Sequence, residues 1–368
     1  MEKKAIKELK AALALVQSVV LTRSSLPILA CVKISDGMIE ATDLEQHLAI
    51  AVPGLEIDGE VCVNLKSLKK VVASLKDNIN FSLGEFDTLI INGSIRLAGF
   101  SPKEFPAFPT CENWRKKAQF VVPENWDTLI PAINPNETRF SLCGLAVDFR
   151  NGTLIASDGH RLHSATFANA FFDLEFLPII PFDTAHTVSK LGPGTLGTFY
   201  SHIEKADTHT VCFRSDNAEL WSKLPDEKYP NYQQVIPEVG EDSQAITISR
   251  AALISAVKTC LAVASKEKTA LCLHRTEQGL RIALDSWSEQ GAAEQTLPAT
   301  GGKDGGYIGL NGCYLLDLLE ACKGEEITLI IKGWDRPMLV KEGDFTGVIM
   351  PLRLFNPPQV KEEEQLAA

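Results

Sequence analysis

No stretch of this 368-residue sequence approaches the roughly 20 consecutive apolar residues that a bilayer-spanning helix needs. No apolar segment near the start has the form of a secretory leader, so a cytoplasmic protein without membrane contact is expected. Cysteine occurs nine times but never as C-x-x-C. An odd, scattered set implies free thiols rather than disulfides or a metal centre. The sequence also lacks a G-x-x-x-x-G-K-[ST] phosphate loop, a G-x-S-x-G nucleophile elbow and an H-E-x-x-H zinc motif. Thr300 to Gly306 is glycine-rich but wrongly spaced for phosphate, and reads as a loop. Asp158 and His160 come nearest to an acid–base pair, but no second carboxylate joins them. General acid–base chemistry needs a converging constellation. Neither enzymatic activity nor any cofactor or metal is expected.

What is present is the balance of a soluble globular protein: 45% hydrophobic and 23% charged residues. The length implies two or three domains. A formal net charge of -11 argues against a protein that simply coats nucleic acid, yet leaves room for a local basic face. Such a face is suggested by two amphipathic segments. Lys3 to Val19 places Ile6, Leu9, Leu13 and Val16 on one side and Lys3, Lys4, Lys7 and Lys10 on the other. Leu65 to Leu75 turns Leu68, Val71, Val72 and Leu75 inward and leaves Lys66, Lys69, Lys70 and Lys76 largely away from that stripe.

Strand-like runs follow each helix, and the plan of helix, strands, helix, strands recurs three times. In the first third the strands read as Ile28–Ile34, Met38–Thr42, His47–Val52 and Val61–Val63, then Asn80–Leu83, Thr88–Asn92 and Ile95–Ala98. The middle third opens on a short helix read over Val122 to Ile133, and the last on a helix over Arg250 to Val263. Asp43, Asp158 and Asp285 close comparable strands, and Phe105-Pro106, Tyr229-Pro230 and Met350-Pro351 close the thirds. Repetition at this period predicts an α+β protein of three repeated domains, 1–119, 120–244 and 245–354, each of two helix-plus-strands half-copies. Residues 355–368, with Lys361-Glu362-Glu363-Glu364, fall outside the repeat and read as a disordered tail.

The ordered set Ser25-Leu26-Pro27-Ile28-Leu29, Ala41-Thr42-Asp43-Leu44, Ser157-Asp158-Gly159-His160-Arg161-Leu162, Tyr229-Pro230-Asn231-Tyr232 and Met350-Pro351-Leu352-Arg353-Leu354 resembles the bacterial DNA polymerase III beta subunit, the sliding clamp. The resemblance runs from about residue 1 to 354. It implies a head-to-tail homodimer closed into a ring, with helices lining the hole and sheets outside. It implies binding of duplex DNA without sequence specificity, and tethering of the replicative polymerase for processive synthesis. The implied partners are the polymerase III alpha subunit, other polymerases, the clamp loader, and mismatch-repair and ligase-type proteins. A divergent clamp-like scaffold, or an accessory clamp serving repair factors, is the alternative.

The same resemblance assigns residues. A partner-peptide groove would be walled by Arg139, Leu142, Ser157, Gly159, His160, Arg161 and Leu162, with Pro237 from the linker. The last third would add Asn311, Tyr314, Val348, Met350, Pro351, Leu352 and Arg353. Arg23, Lys66, Lys69, Lys70, Asn136 and Lys190 would touch DNA, and Ile95 and Leu97 would meet Val263 and Ala264 across the dimer interface. Clamps end near the leucine equivalent to Leu354, so the tail is a departure. Its Gln359-Val360 and Gln365-Leu366 faintly echo a clamp-binding peptide.

Overall fold

A computed structural model describes residues 3–75, 79–107, 115–168, 171–174, 176–203, 206–265, 269–285 and 291–358. Lys76 and the tail beyond Pro358 therefore lie outside the described residues.

The first third contains helix α1 (Lys3–Leu15), strands β1 (Cys31–Ser35), β2 (Met38–Thr42), β3 (Gln46–Ala51) and β4 (Val61–Asn64), helix α2 (Leu65–Ser74), and strands β5 (Phe81–Leu83), β6 (Thr88–Ile91) and β7 (Ile95–Phe100). The middle third has β8 (Arg115–Val121), β9 (Gly144–Asp148), β10 (Thr153–Ser157), β11 (Arg161–Thr166), β12 (Phe171–Phe172) and β13 (Ile179–Pro181). Helix α3 (Phe182–Leu191) follows, then β14 (Thr195–Ile203), β15 (Ala206–Arg214) and β16 (Ala218–Lys223). The last third has β17 (Gln244–Ser249), α4 (Arg250–Ala262), β18 (Ala270–Thr276), β19 (Gly279–Leu284), β20 (Glu294–Leu297), β21 (Ala299–Gly301) and β22 (Tyr307–Asn311). It closes with α5 (Gly312–Ala321), β23 (Glu326–Ile331), β24 (Met338–Glu342) and β25 (Phe345–Ile349).

One local device recurs. A strand runs directly into a helix through a polar residue that caps the first turn. Asn64 Oδ1 accepts the Ser67 N–H (3.2 Å), Ser249 Oγ that of Ala252 (3.4 Å), and Asn311 Oδ1 that of Cys313 (2.9 Å). Each satisfies an amide that the helix itself leaves unbonded, so the chain switches from strand to helix without a loop.

The chain folds as two compact units. One holds Met1–Glu124 and Ala168–Asp226, the other Asn125–Phe167 and Glu227–Ala368. In the first unit a twelve-stranded sheet runs β12-β8-β14-β15-β16-β3-β2-β1-β4-β7-β6-β5. There β16 of the middle third pairs antiparallel with β3 of the first, Trp221 opposite His47. In the second unit the order β9-β10-β11-β25-β24-β23-β17-β21 forms one sheet, and β20-β19-β18-β22 a second, four-stranded one. There β11 of the middle third pairs with β25 of the last. The same seam thus occurs twice: the final strand of one third joins the strand that follows the repeated-slot aspartate of the third before it.

The core of the second unit lies between its helices and sheets. Leu253, Val257 and Cys260 of α4 and Leu315, Leu318 and Leu319 of α5 pack against Ile246, Leu271, Leu273, Leu329 and Ile349, all almost wholly buried. Gly347 lets α5 approach β25, because a Cβ there would lie 2.7 Å from Leu318 Cδ1.

Several expected elements differ. Val122 to Ile133 is not an α-helix but two 3-10 turns, Trp126–Thr128 and Ile130–Ala132. Pro131 has no N–H to continue an α-helical ladder, so the segment stops after each turn. Pro27–Ala30 is a 3-10 turn rather than the start of β1. Ala299–Gly301 pairs with β17, so the glycine-rich loop begins as a strand. In α2, Val71 is only half-buried and Leu75 falls beyond the helix end. The sequence reading missed β8 and β12.

Candidate functional site

Asp158 sits between β10 and β11 and is 4% exposed. Its Oδ1 accepts the N–H groups of His160 (2.9 Å) and Arg161 (3.0 Å), and its Oδ2 accepts Arg161 Nε (3.0 Å). Ser157 Oγ donates to the Arg161 carbonyl (2.7 Å) and accepts the Gly159 N–H (3.1 Å). The exposed His160 meets Asp158 through its main chain, so the pair is a turn and not an acid–base couple.

The first third builds the same turn with other side chains. Asp43 Oδ1 accepts the amides of Glu45 (2.9 Å) and Gln46 (2.6 Å), and Gln46 Nε2 donates to Oδ2 (3.2 Å). Thr42 Oγ1 donates to the Gln46 carbonyl (2.7 Å) and accepts the Leu44 N–H (3.0 Å). Gly159 and Leu44 share a left-handed backbone, φ 84 and 80. The equivalence of Arg161 and Gln46 was not visible in the sequence, because the two residue types share only a donor group.

Arg161 gathers the corner. Its side chain is 9% exposed and pairs with both Asp158 and Asp317 of α5. Its Nη2 donates to the Pro131 carbonyl, and its guanidinium carbon lies 4.3 Å from the Tyr314 ring centroid. One fork thereby ties β11 to α5 and to the Ile130–Ala132 turn. Burial, assisted by the Asp158 charge, raises the Tyr314 phenol above its ordinary range.

A second turn stands behind the first. Asp148 Oδ1 accepts the amides of Arg150 (3.0 Å) and Asn151 (3.1 Å), and its Oδ2 accepts Asn151 Nδ2 (2.7 Å) and the Tyr232 hydroxyl (2.8 Å). Burial alone would raise the Asp148 carboxyl, but these bonds bring it below the usual value. Burial and the same contact push the Tyr232 phenol up to about 12. The Tyr229-Pro230-Asn231-Tyr232 motif is therefore a clasp on the end of β9.

All the expected groove residues fall within the second unit. Leu162 stands opposite Val348, Met350 donates its N–H to the His160 carbonyl (2.8 Å), and Arg139 Nη2 donates to the Asp158 carbonyl (3.4 Å). Asn311 caps α5 and so sets the position of Tyr314. Leu142, Leu162 and Val348 are at most 2% exposed and belong to the core. The accessible apolar surface comes from Met350 (37%) and Leu352 (38%), and from Phe140 (71%), which the sequence reading did not select. Arg139 and Arg353 are exposed, and Pro237 and Pro351 are half-buried.

The basic residues lie mainly in the first unit. Lys4, Lys7 and Lys10 of α1 and Lys66 and Lys70 of α2 are exposed, while Lys69 is half-buried and bonds to the Gln17 side chain. Helix α2 contains no acidic residue. Arg23 and Lys190 are exposed in the same unit, and Asn136 is exposed in the other. The last-third helices differ. Lys258 pairs with Glu320 (2.8 Å), and Arg250 donates to the Gly324 (2.7 Å) and Leu319 (3.3 Å) carbonyls.

Among the strand edges left open within the described residues, two bear on the expected dimer interface. β7 pairs with β6 over Ile95–Ala98 and with β4 only at Gly99 and Phe100, and β20 pairs only with β19. Half-buried Ile95 and Leu97 lie on the first edge. Half-buried Val263 and Ala264 follow α4, which packs against β20.

Residues 233–353 match the family model described as DNA polymerase III beta subunit, C-terminal domain. The chain is 27% identical to the beta sliding clamp of Pseudomonas aeruginosa, over 93% of this chain and 96% of that one. It is 24% identical to the beta sliding clamp of Rickettsia bellii, over 95% and 98%. In fold it is similar to a DnaN sliding clamp from Bartonella birtlesii bound to griselimycin, with TM-score 0.81, 24% identity and coverage of 95% and 98%. A Pseudomonas aeruginosa DnaN sliding clamp bound to griselimycin gives TM-score 0.79 at 24% identity, covering 96% and 98%. Residues 233–353 thus match the family's C-terminal domain, and over nearly the whole chain motif order and fold are similar to those of the bacterial DNA polymerase III beta subunits, the beta sliding clamps.

Proposed function

We propose that the protein is a cytoplasmic, non-enzymatic DNA sliding clamp. It is a homodimeric ring of three-domain chains that encircles duplex DNA and holds the replicative polymerase on it. The observation that carries this reading is the exposed lysine face of α1 and α2 on a protein of net charge -11. Lysines without base-reading partners contact phosphates indifferently to sequence, and the acidic remainder repels DNA elsewhere. Retention then comes from enclosure rather than affinity.

The repeated seam supports the ring. In each unit the last strand of one third extends the post-aspartate strand of the preceding third. By the same rule β20 of the last third awaits the last strand of a first third, which is β7 of a second copy. Both edges are open, and pairing them head to tail in two chains closes the assembly. Ile95, Leu97, Val263 and Ala264 belong to this junction.

Met350, Leu352, Tyr314 and the Ser157–Leu162 corner form the groove that receives apolar side chains of partner peptides. These come from the polymerase alpha subunit, other polymerases, the clamp loader and repair proteins. The same groove is the expected seat for griselimycin. The DNA role is tested by loading the purified dimer onto nicked circular DNA. Retention through a high-salt wash, followed by release on linearisation, is expected. Equal retention on linear and circular DNA would sink the enclosure reading and favour an ordinary DNA-binding scaffold.

A further inference from the structure

Asp43 and Asp158 use their carboxylates on the amides of their own turns, whereas Asp285, in the same slot, reaches across the chain. Its Oδ2 accepts the Phe355 N–H (2.8 Å) and its Oδ1 the Asn356 N–H (3.1 Å), while Asn356 Nδ2 donates back to the Asp285 carbonyl (3.0 Å). Asp285 is 5% exposed and its own N–H donates to the Ala270 carbonyl (3.0 Å), so the anchor is itself fixed. Just before, Leu352 donates its N–H to the Gly309 carbonyl (2.7 Å), and Leu354 lies so close that a Cβ on Gly309 would be 2.6 Å from its Cδ2. The chain is therefore held from Leu352 to Asn356, two to three residues past the point where the family match ends. The expectation of a tail free from Phe355 onward does not describe its first two residues.

Within this fixed segment the Phe355 side chain is 85% exposed. Its backbone has already lost its freedom, so covering the ring costs little further ordering entropy. Met350, Leu352 and Phe355 are exposed apolar residues of one short segment, and exposed Arg353 stands among them in sequence.

We infer that Phe355, stapled by Asp285, is a further contact residue of the partner-peptide surface. It is an aromatic lip that takes one apolar side chain of a peptide lying along Met350 and Leu352, with an acidic flank against Arg353. This rests on the groove reading above. The occupant is a leucine- and phenylalanine-bearing acidic peptide. The chain's own tail and a second copy are the competing occupants.

The test measures fluorescence anisotropy with a fluorescein-labelled acidic decapeptide containing two leucines and a phenylalanine. Wild type is compared with Phe355→Ala, Phe355→Leu, Asp285→Ala and a chain ended after Leu354. Phe355→Ala and the truncation are expected to weaken binding five- to tenfold, Asp285→Ala to weaken it in the same direction, and Phe355→Leu to retain most of it. Unchanged affinity in both Phe355→Ala and the truncated chain overturns the inference. Tighter binding by the truncated chain overturns it in favour of the tail as occupant. A loss of dimer in Phe355→Ala with peptide affinity intact overturns it in favour of a second copy. Griselimycin titrated calorimetrically checks the groove separately. If wild type binds neither griselimycin nor peptide, the groove reading fails and takes this inference with it. If griselimycin binds all variants equally while the peptide does not, Phe355 acts as proposed.

Discussion

Replacing Arg161 by alanine removes a side chain that joins three elements, and the structure allows its cost to be worked out. The bond to Asp158 Oδ2 joins two groups whose side chains are 9% and 5% exposed, so its loss is worth about 1.5–3 kcal/mol. Asp158 keeps two backbone donors, which spares it the full penalty of an unpaired buried charge. Asp317 is 35% exposed and regains water, so that pair contributes less than about 1 kcal/mol. Stacking on Tyr314 adds about 0.5–1 kcal/mol. The expected total is about 3 kcal/mol. Because a chain of two compact units need not unfold in one step, the readout should be local. Native-state hydrogen exchange of the Leu162–Ala165 amides of β11 should lose protection by roughly two powers of ten, about 3 kcal/mol. Amides of β2 and β3 in the other unit should hold. Arg161→Lys keeps the charge but not the fork, and should recover less than half the loss. A loss below about 1 kcal/mol in Arg161→Ala, or an equal loss in both units, would refute the reasoning.

Acid should weaken the second unit through His163, which is fully buried and has a pKa lowered to about 4, chiefly by burial. The unfolded chain binds a proton near pH 6.5 that the folded chain refuses until about pH 4. Stability therefore falls as pH drops through that window, by about 2 kcal/mol between pH 7.5 and 5. Urea midpoints across the window should show this slope, and His163→Leu should flatten it whatever its own baseline. Replacing exposed Lys66 and Lys70 together by alanine should lower the log–log salt slope of duplex binding by about 2, at about 0.9 per phosphate contact, equally for unrelated sequences. An unchanged slope would place DNA elsewhere.

Local chemistry made much of the fold readable. Met38–Thr42 is a strand with the expected ends, because alternating apolar residues meet turn residues on both sides. The helices α2 and α4 were legible in the sequence and end within a residue of the expected bounds. By contrast, β8 begins Arg115-Lys116-Lys117, and this charged start hides a strand whose burial comes from β14 beside it. In the candidate site, Asp158 could be recognised as a turn residue from its repeated slot. The role of Arg161 could not, because Pro131 and Asp317 lie far away in sequence. Leu142, Leu162 and Val348 are groove residues only by the family resemblance; a matching motif carries over a position but not its exposure, and here all three are almost wholly buried. The Asp285 staple spans about seventy positions and leaves no local trace.

The paired turns at Leu44 and Gly159 have a mechanical consequence. Both run the chain through a left-handed residue, at φ 80 and 84, but only one uses the residue type that does so without cost. A leucine there stores about 1–2 kcal/mol of backbone strain. The protein thus keeps one tensioned turn and one relaxed turn of the same shape. Leu44→Gly should stiffen nothing yet raise stability, while Gly159→Ala would both load the relaxed turn and press a methyl 2.2 Å from Arg139 Nη2. The relaxed copy is the one whose glycine lies against exposed Arg139 and whose His160 carbonyl holds Met350; on the groove reading proposed above, it is where a partner peptide would pass. The tensioned copy lies against β16, where Lys223 bonds to Glu45 through both main chain and side chain.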